Sequence, residues 1–177
     1  MSTITPKRLS PGSWYAVYTA SRAEKKVKER LDQQSIENYL PLQISIRRWS
    51  DRKKKIEFPL IRGYIFVRVT SRQYAEVCNT PGVVSFLKEG GKPAPIPDLQ
   101  INTLRVMNEG AEGVVEVSTE EIPSGTYVRV TCGKLTGLEG ELVEYKGKHK
   151  VLIRIDHLGC ALTDVSSSCV ERYYRKK

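Results

Sequence analysis

A chain of 177 residues can bury one moderate core or two small ones. Its net charge is +9, and the whole excess lies in residues 1–110, which hold 19 Lys and Arg against 10 Asp and Glu, while residues 111–177 balance at 10 and 10. The asymmetry points to an acidic partner for the first part, whereas a membrane partner is not expected: no apolar run approaches the roughly 18 residues of a membrane helix. No signal peptide opens the chain, so a cytoplasmic setting is expected. Cys78, Cys132, Cys160 and Cys169 show no C-x-x-C pairing and are expected as reduced, buried or half-buried thiols. His149 and His157 do not stand at zinc-ligand spacing with them, so neither a metal nor a cofactor is expected.

Residues 1–12 are polar, basic and proline-containing, and read as a flexible tail. Trp14–Thr19 then reads as a strand, with Tyr15, Val17 and Thr19 on one face and Trp14, Ala16 and Tyr18 on the other. Ser21 and Glu24 have the form of a capping box. The helix that follows places Ala23, Val27 and Leu31 on one stripe. Arg22, Lys25, Lys26, Lys28 and Arg30 dominate its remaining surface.

Two apolar strands come next, Leu40 to Ile46 and Leu60 to Val69. The loop between them carries Arg47, Arg48, Arg52, Lys53, Lys54 and Lys55 against the single acid Asp51, with Trp49 inside the run. So much like charge repels itself unless a polyanion lies against it, and Trp49 offers a face on which a base can stack. A solvated hairpin tip fits the same residues. Charge alone does not choose between a nucleic-acid and a protein contact.

Ser71 reads as the cap of a short helix bearing Tyr74, Ala75 and Cys78, stopped at Pro81-Gly82. Val83 to Leu87 is a short strand closed by Gly90-Gly91. Pro93, Pro95 and Pro97 enforce an extended connector. Asp98 caps a last helix through Ile101, Leu104 and Met107. The order β-α-β-β-α-β-α suits an α+β sandwich, with helices on a mainly antiparallel sheet.

Residues 111–123 read as an acidic linker, although Val114, Val115 and Val117 also fit a short strand. Beyond it, five short strands (Tyr127–Val130, Gly140–Tyr145, Val151–Ile155, Cys160–Val165 and Cys169–Arg172) suggest a small barrel. Gly133, Gly137 and Gly140, spaced four and three apart among alternating Val and Leu, indicate a reversal that needs positive φ or close backbone approach. A P-loop is excluded, because no G-K-[ST] follows and no helix opens there.

That glycine pattern resembles the KOW motif, which sits on a small SH3-like barrel. Upstream, Trp14-Tyr-Ala-Val-Tyr18, the basic helix, Leu60-Ile-Arg-Gly63-Tyr64-Ile-Phe-Val67, Pro81-Gly-Val-Val-Ser-Phe86 and Lys92-Pro-Ala-Pro-Ile-Pro97 follow the order of a NusG N-terminal (NGN) domain. The chain from Trp14 to Tyr173 therefore resembles the NusG family, which is similar to Spt5. Its basic hairpin looks most like the specialised UpxY-type paralogues of Bacteroidetes, RfaH-like antiterminators of polysaccharide operons. The resemblance implies an NGN-type α/β sandwich over residues 13–110 and an SH3-like KOW β-barrel over 124–174.

It also implies a non-catalytic transcription elongation and antitermination factor that bridges the RNA polymerase clamp. Trp14, Ile61, Tyr64 and Phe86 match an apolar groove that docks on the clamp helices of the largest catalytic subunit. Arg62 stands where family members often carry proline, which affects the rim of that groove. Lys26 and Arg30 match the surface facing non-template DNA, and the hairpin from Arg47 to Lys55 matches an element reaching across the cleft. Leu138 falls at a barrel loop through which a ribosomal protein or a termination factor is contacted, and a core position fits the same residue. A general NusG and a ribosome-associated RNA-binding KOW protein are the alternatives. A monomer is expected, and the β-branched, Gly-rich pattern from Val128 to Val165 argues against a helical alternative fold.

Overall fold

The computed structural model describes residues 12–48 and 53–174; the tail expected over residues 1–12 lies outside them except for Gly12. The elements are β1 (Ser13–Thr19), α1 (Glu24–Gln33), β2 (Glu37–Tyr39), β3 (Leu42–Arg48), β4 (Lys53–Pro59), β5 (Tyr64–Val69), α2 (Tyr74–Asn79), β6 (Val83–Phe86), β7 (Lys88–Glu89), β8 (Lys92–Pro93), β9 (Pro95–Ile96) and α3 (Asp98–Gly110). The second part holds β10 (Glu116–Ser118), β11 (Thr126–Val130), β12 (Glu139–Tyr145), β13 (Lys148–Ile155), β14 (Gly159–Asp164) and β15 (Val170–Arg172). The result is a mixed α/β chain with mostly antiparallel sheets and few helices.

Strand β1 is central to the first sheet, whose order is β2-β5-β1-β6 with β9 also on β1. Its alternation sorts the core as expected. Tyr15 and Val17 pack with Val27 and Leu31 of α1, while Trp14 and Ala16 pack with Ile101, Leu104 and Met107 of α3. The second sheet is antiparallel throughout, in the order β10-β14-β13-β12-β11-β15. One apolar cluster joins the two sheets through α3: it runs from Trp14, Phe66 and Ile96 to Val128, Val151 and Ile153. Gln100 reinforces the contact, its amide donating to Asp156 Oδ1 (2.9 Å) while its Oε1 accepts from the Asp156 N–H (2.8 Å).

Several local expectations need correction. The two long strands flanking a basic loop are four strands, and Lys53, Lys54 and Lys55 belong to β4 rather than to a loop. Ser21 does not cap α1. Arg22 takes a left-handed φ of 59°, the helix starts at Glu24, and the Glu24 carboxylate is drawn to a tertiary donor instead. Thr70 with Gln73, not Ser71, makes the capping box before α2. Pro97 holds the cap position of α3, while the Asp98 carboxylate accepts from Arg68 at 2.9 Å. Cys132 and Cys169 are bonded to each other, whereas Cys78 and Cys160 are free thiols.

The glycine reversal is as read: Gly133 and Gly137 have φ of 78° and 88°, and a Cβ on Gly140 would stand 2.7 Å from Leu152 O. The acidic segment also contributes structure, because β10 pairs with β14. Lys150, with its side chain only 4% exposed, fixes that edge by donating to Glu116 (2.8 Å) and Asp164 (2.6 Å). Hydrogen bonds from Lys150 hold both carboxyls below their ordinary range. Burial pushes the Lys150 ammonium down, but the bonds to Asp164 and Glu116 outweigh it and hold it above the usual value.

Carboxyls with lowered folded-state values contribute stability that is present at neutral pH and lost as pH falls through those values. The raised Lys150 contributes stability at neutral pH that is lost only on the alkaline side, as pH rises through its folded-state value. Lys150→Met keeps the aliphatic stem and removes the charge, with an expected loss of roughly 1–2 kcal/mol at neutral pH. Urea melts from about pH 7 down to about pH 3 should show a flatter acid dependence in the variant than in the wild type.

Candidate docking surface and basic hairpin

Tyr18 ends the solvent-facing part of β1 and stands directly opposite Tyr64 on β5. Their rings lie 5.4 Å apart, tilted by 54°, with Tyr18 45% exposed and Tyr64 half-buried. On the other side of β1, Tyr18 faces Ser85 of β6. Together with Phe86, Leu87 and Lys88 these residues line an open recess at the end of the first sheet.

The turn before Tyr64 is held from both sides. The Gly63 N–H donates to Glu24 Oε1 (2.8 Å), and its carbonyl accepts from the Thr19 N–H (2.8 Å). Glu24 is buried, so the start of α1 is tied to the aromatic pair by a charge-assisted bond. Gly63 has φ of 78°, and a Cβ there would stand 3.1 Å from Tyr18 Cε2. Glycine is required both for the backbone and for the ring beside it.

The expected groove of Trp14, Ile61, Tyr64 and Phe86 is corrected by burial. Trp14 (3% exposed) and Ile61 belong to the cluster that α3 covers, and neither presents a face to a partner. Phe86 packs edge-to-face on Tyr15, with centroids 5.8 Å apart, and reaches the recess only at its edge. Of the four residues, Tyr64 is the one left partly open. Tyr18 was missed as a site residue, although its place on the Trp14 face of β1 was readable. Leu138 is likewise buried, at 2% exposure, because its backbone closes the glycine reversal onto Val130 and turns the side chain into the core.

The β3–β4 hairpin forms its own two-stranded sheet, separate from the first. Its register sets Arg47 against Lys54 and Arg48 against Lys53. Like charges directly opposite one another destabilise a ladder. Lys53, Lys54 and Lys55 are exposed, as are Ile44 (62%) and Ile46 (61%) on one face of the ribbon. Trp49 and Arg52 lie outside the described residues. The base is anchored by Asn108 Nδ2 donating to Leu42 O (3.1 Å), Gln43 Nε2 donating to Val115 O (3.0 Å) and a Lys25–Glu57 ion pair.

On α1, Lys26 is exposed. Arg30 is engaged: its guanidinium donates to Pro81 O at 2.5 Å and clasps the turn between α2 and β6. Lys26, Lys53, Lys54 and Lys55 are thus exposed cations, whereas Arg30 is a structural clamp as well as a charge.

Among solved structures, the chain is similar to one titled "Domain interaction in Thermotoga maritima NusG", at 24% identity and TM-score 0.48, covering 92% of this chain and 97% of that one. It is similar also to an MjSpt4:Spt5 complex, at 18% identity and TM-score 0.30, over 92% and 99% of the two chains. Curated relatives named "Transcription termination/antitermination protein NusG" include that of Staphylococcus carnosus, 27% identical over 82% of this chain and 87% of its own length. The Streptococcus pyogenes serotype M3 protein is 29% identical with the same coverage. The Streptomyces coelicolor protein is 28% identical over 81% of this chain, which spans only 56% of that longer relative. Residues 12–105, more than half of the chain, match the family model described as "Transcription termination factor nusG". The chain belongs to the NusG family.

Proposed function

We propose that this protein is a cytoplasmic transcription elongation factor that docks on RNA polymerase and suppresses pausing and termination. Residues 13–110 are its NGN-type docking unit, and the C-terminal sheet over residues 124–174 is its KOW-type SH3-like barrel. The observation that carries the reading, beside family membership, is the open Tyr18–Tyr64 pair on a locked turn. Exposed, rigidly held aromatics bury large area with little loss of side-chain freedom, which is what a protein anchor requires. The clamp helices of the largest subunit are the proposed seat for it.

The basic hairpin is the second attachment, reaching across the cleft toward non-template DNA or the opposite jaw. A factor held at both points binds the closed, elongating state better than the open, paused one, and shifts the population accordingly. No catalytic residue is needed. The self-repelling hairpin favours the specialised, operon-selective reading. The names of the curated relatives, which join termination to antitermination, favour a general factor. In that reading the barrel is the proposed contact for a termination factor or a ribosomal protein.

Tyr64→Asp and Tyr18→Asp should each weaken polymerase binding by about 2 kcal/mol or more, roughly 30-fold, with circular dichroism unchanged. Retained affinity in both variants would place the docking site elsewhere. Replacing Lys53, Lys54 and Lys55 by Ser should lower the slope of log affinity against log salt on a non-template strand by about two to three. An unchanged slope would assign the hairpin to a protein contact. Purified elongation complexes on several templates separate the specialised from the general role: a specialised factor extends readthrough on some templates only, and an equal effect on every template rejects it.

A further inference from the structure

We propose that Cys132 and Cys169 form a reversible dithiol–disulfide site that reacts with low-molecular-weight disulfides. The two residues are brought together by the fold rather than by sequence: 37 positions separate them, yet their Cα atoms lie 5.2 Å apart, within the span a disulfide bridges. Their approach is set by the β11–β15 ladder, in which Val130 faces Val170 and the Thr131 N–H donates to Cys169 O at 2.8 Å. Cys132 is exposed and Cys169 half-buried, on the wall of an open recess shared with Gly133, Lys134 and Glu112, so a small disulfide has access to the pair. A Cβ on Gly133 would meet nothing within 4 Å, which leaves the approach to Cys132 clear.

The other two thiols are not equivalent. Cys160 is buried behind β10, its Sγ 3.5 Å from Ser118 O, and burial pushes its thiol up, away from the reactive thiolate. Cys78 is exposed on α2 but has no bonded partner. Only the Cys132–Cys169 pair can close on itself.

The exchange balances without a metal or a further reactant. One cysteine thiolate attacks a sulfur of the small disulfide, forming a mixed disulfide and releasing one small thiol. The second cysteine thiolate then attacks the protein-bound sulfur of that mixed disulfide, forming the Cys132–Cys169 bond and releasing the second small thiol. Two electrons pass from the cysteines to the small disulfide, and their two protons leave on the two thiols released. The bond pins the start of the Thr131–Leu138 loop to the turn that leads into β15. That loop also closes against the end of α3, where a Cβ on Gly110 would stand 2.8 Å from Lys134 O. The oxidation state of the pair therefore sets how firmly this loop is held.

The test equilibrates the full chain in graded ratios of reduced to oxidised glutathione. Acid quenching, denaturation, maleimide tagging and peptide mass mapping follow, with thermal melts run alongside. Four tagged cysteines are expected in dithiothreitol. In oxidised glutathione Cys132 and Cys169 should lose their tags together while Cys160 keeps its own, with a rise of several degrees in melting temperature that dithiothreitol reverses. In Cys132→Ser, Cys169 should remain as a mixed disulfide with glutathione and the rise in melting temperature should vanish. Tagging of both residues at every ratio would overturn the proposal, as would pairing between chains or an equal rise in the variant.

Discussion

Burial of α3 between two sheets is the interaction on which the rest of the molecule rests. Ile101, Leu104 and Met107 are fully buried, and they touch Trp14 and Phe66 on one side and strands of the C-terminal sheet on the other. Each such side chain contributes roughly 1.5–3 kcal/mol of transfer free energy, and here a single helix supplies it to two cores. The same burial decides which aromatics of β1 are available. Trp14 lies under the helix and is lost to any partner, whereas Tyr18, at the other end of the strand, emerges beside Tyr64.

The proposed docking surface needs exposed apolar rings that do not rearrange, and the Gly63 turn holds the Tyr18–Tyr64 pair from beneath. Its N–H and its carbonyl are both engaged, by Glu24 and by Thr19, so the turn cannot pivot without breaking two bonds. The sequence shows Glu24 as a helix-capping acid because capping is the common local use of that residue at that spacing. The fold uses it for a contact 39 residues away. Local patterns report local partners, and a buried carboxylate takes the donor that burial brings to it.

This difference explains what was legible and what was not. Strand alternation gave the two faces of β1 and helical spacing gave the buried stripes of α1 and α3, because both periodicities follow from backbone geometry alone. Alternation cannot say which face another element covers, so the resemblance named Trp14, Ile61 and Phe86 beside Tyr64 with nothing in the pattern to show that the fold buries them, and Tyr18 passed unnoticed. Leu138 was misplaced for a related reason: the glycines around it fix the reversal, but not the direction in which the turned side chain points. The Cys132–Cys169 pair left no local trace, since its approach depends on the last strand returning to β11. The basic hairpin, by contrast, was readable in kind though not in extent, as its charges continue into a ladder.

That ladder carries the functional argument one step further. A two-stranded ribbon standing outside the main sheet is marginal on its own. Its register sets like charges opposite one another, Arg47 to Lys54 and Arg48 to Lys53, which weakens it further. The anchoring bonds from Asn108 and Gln43 cluster at the base of the ribbon. An acidic partner laid against Lys53, Lys54 and Lys55 would relieve this repulsion, which is the physical ground for the proposed second attachment.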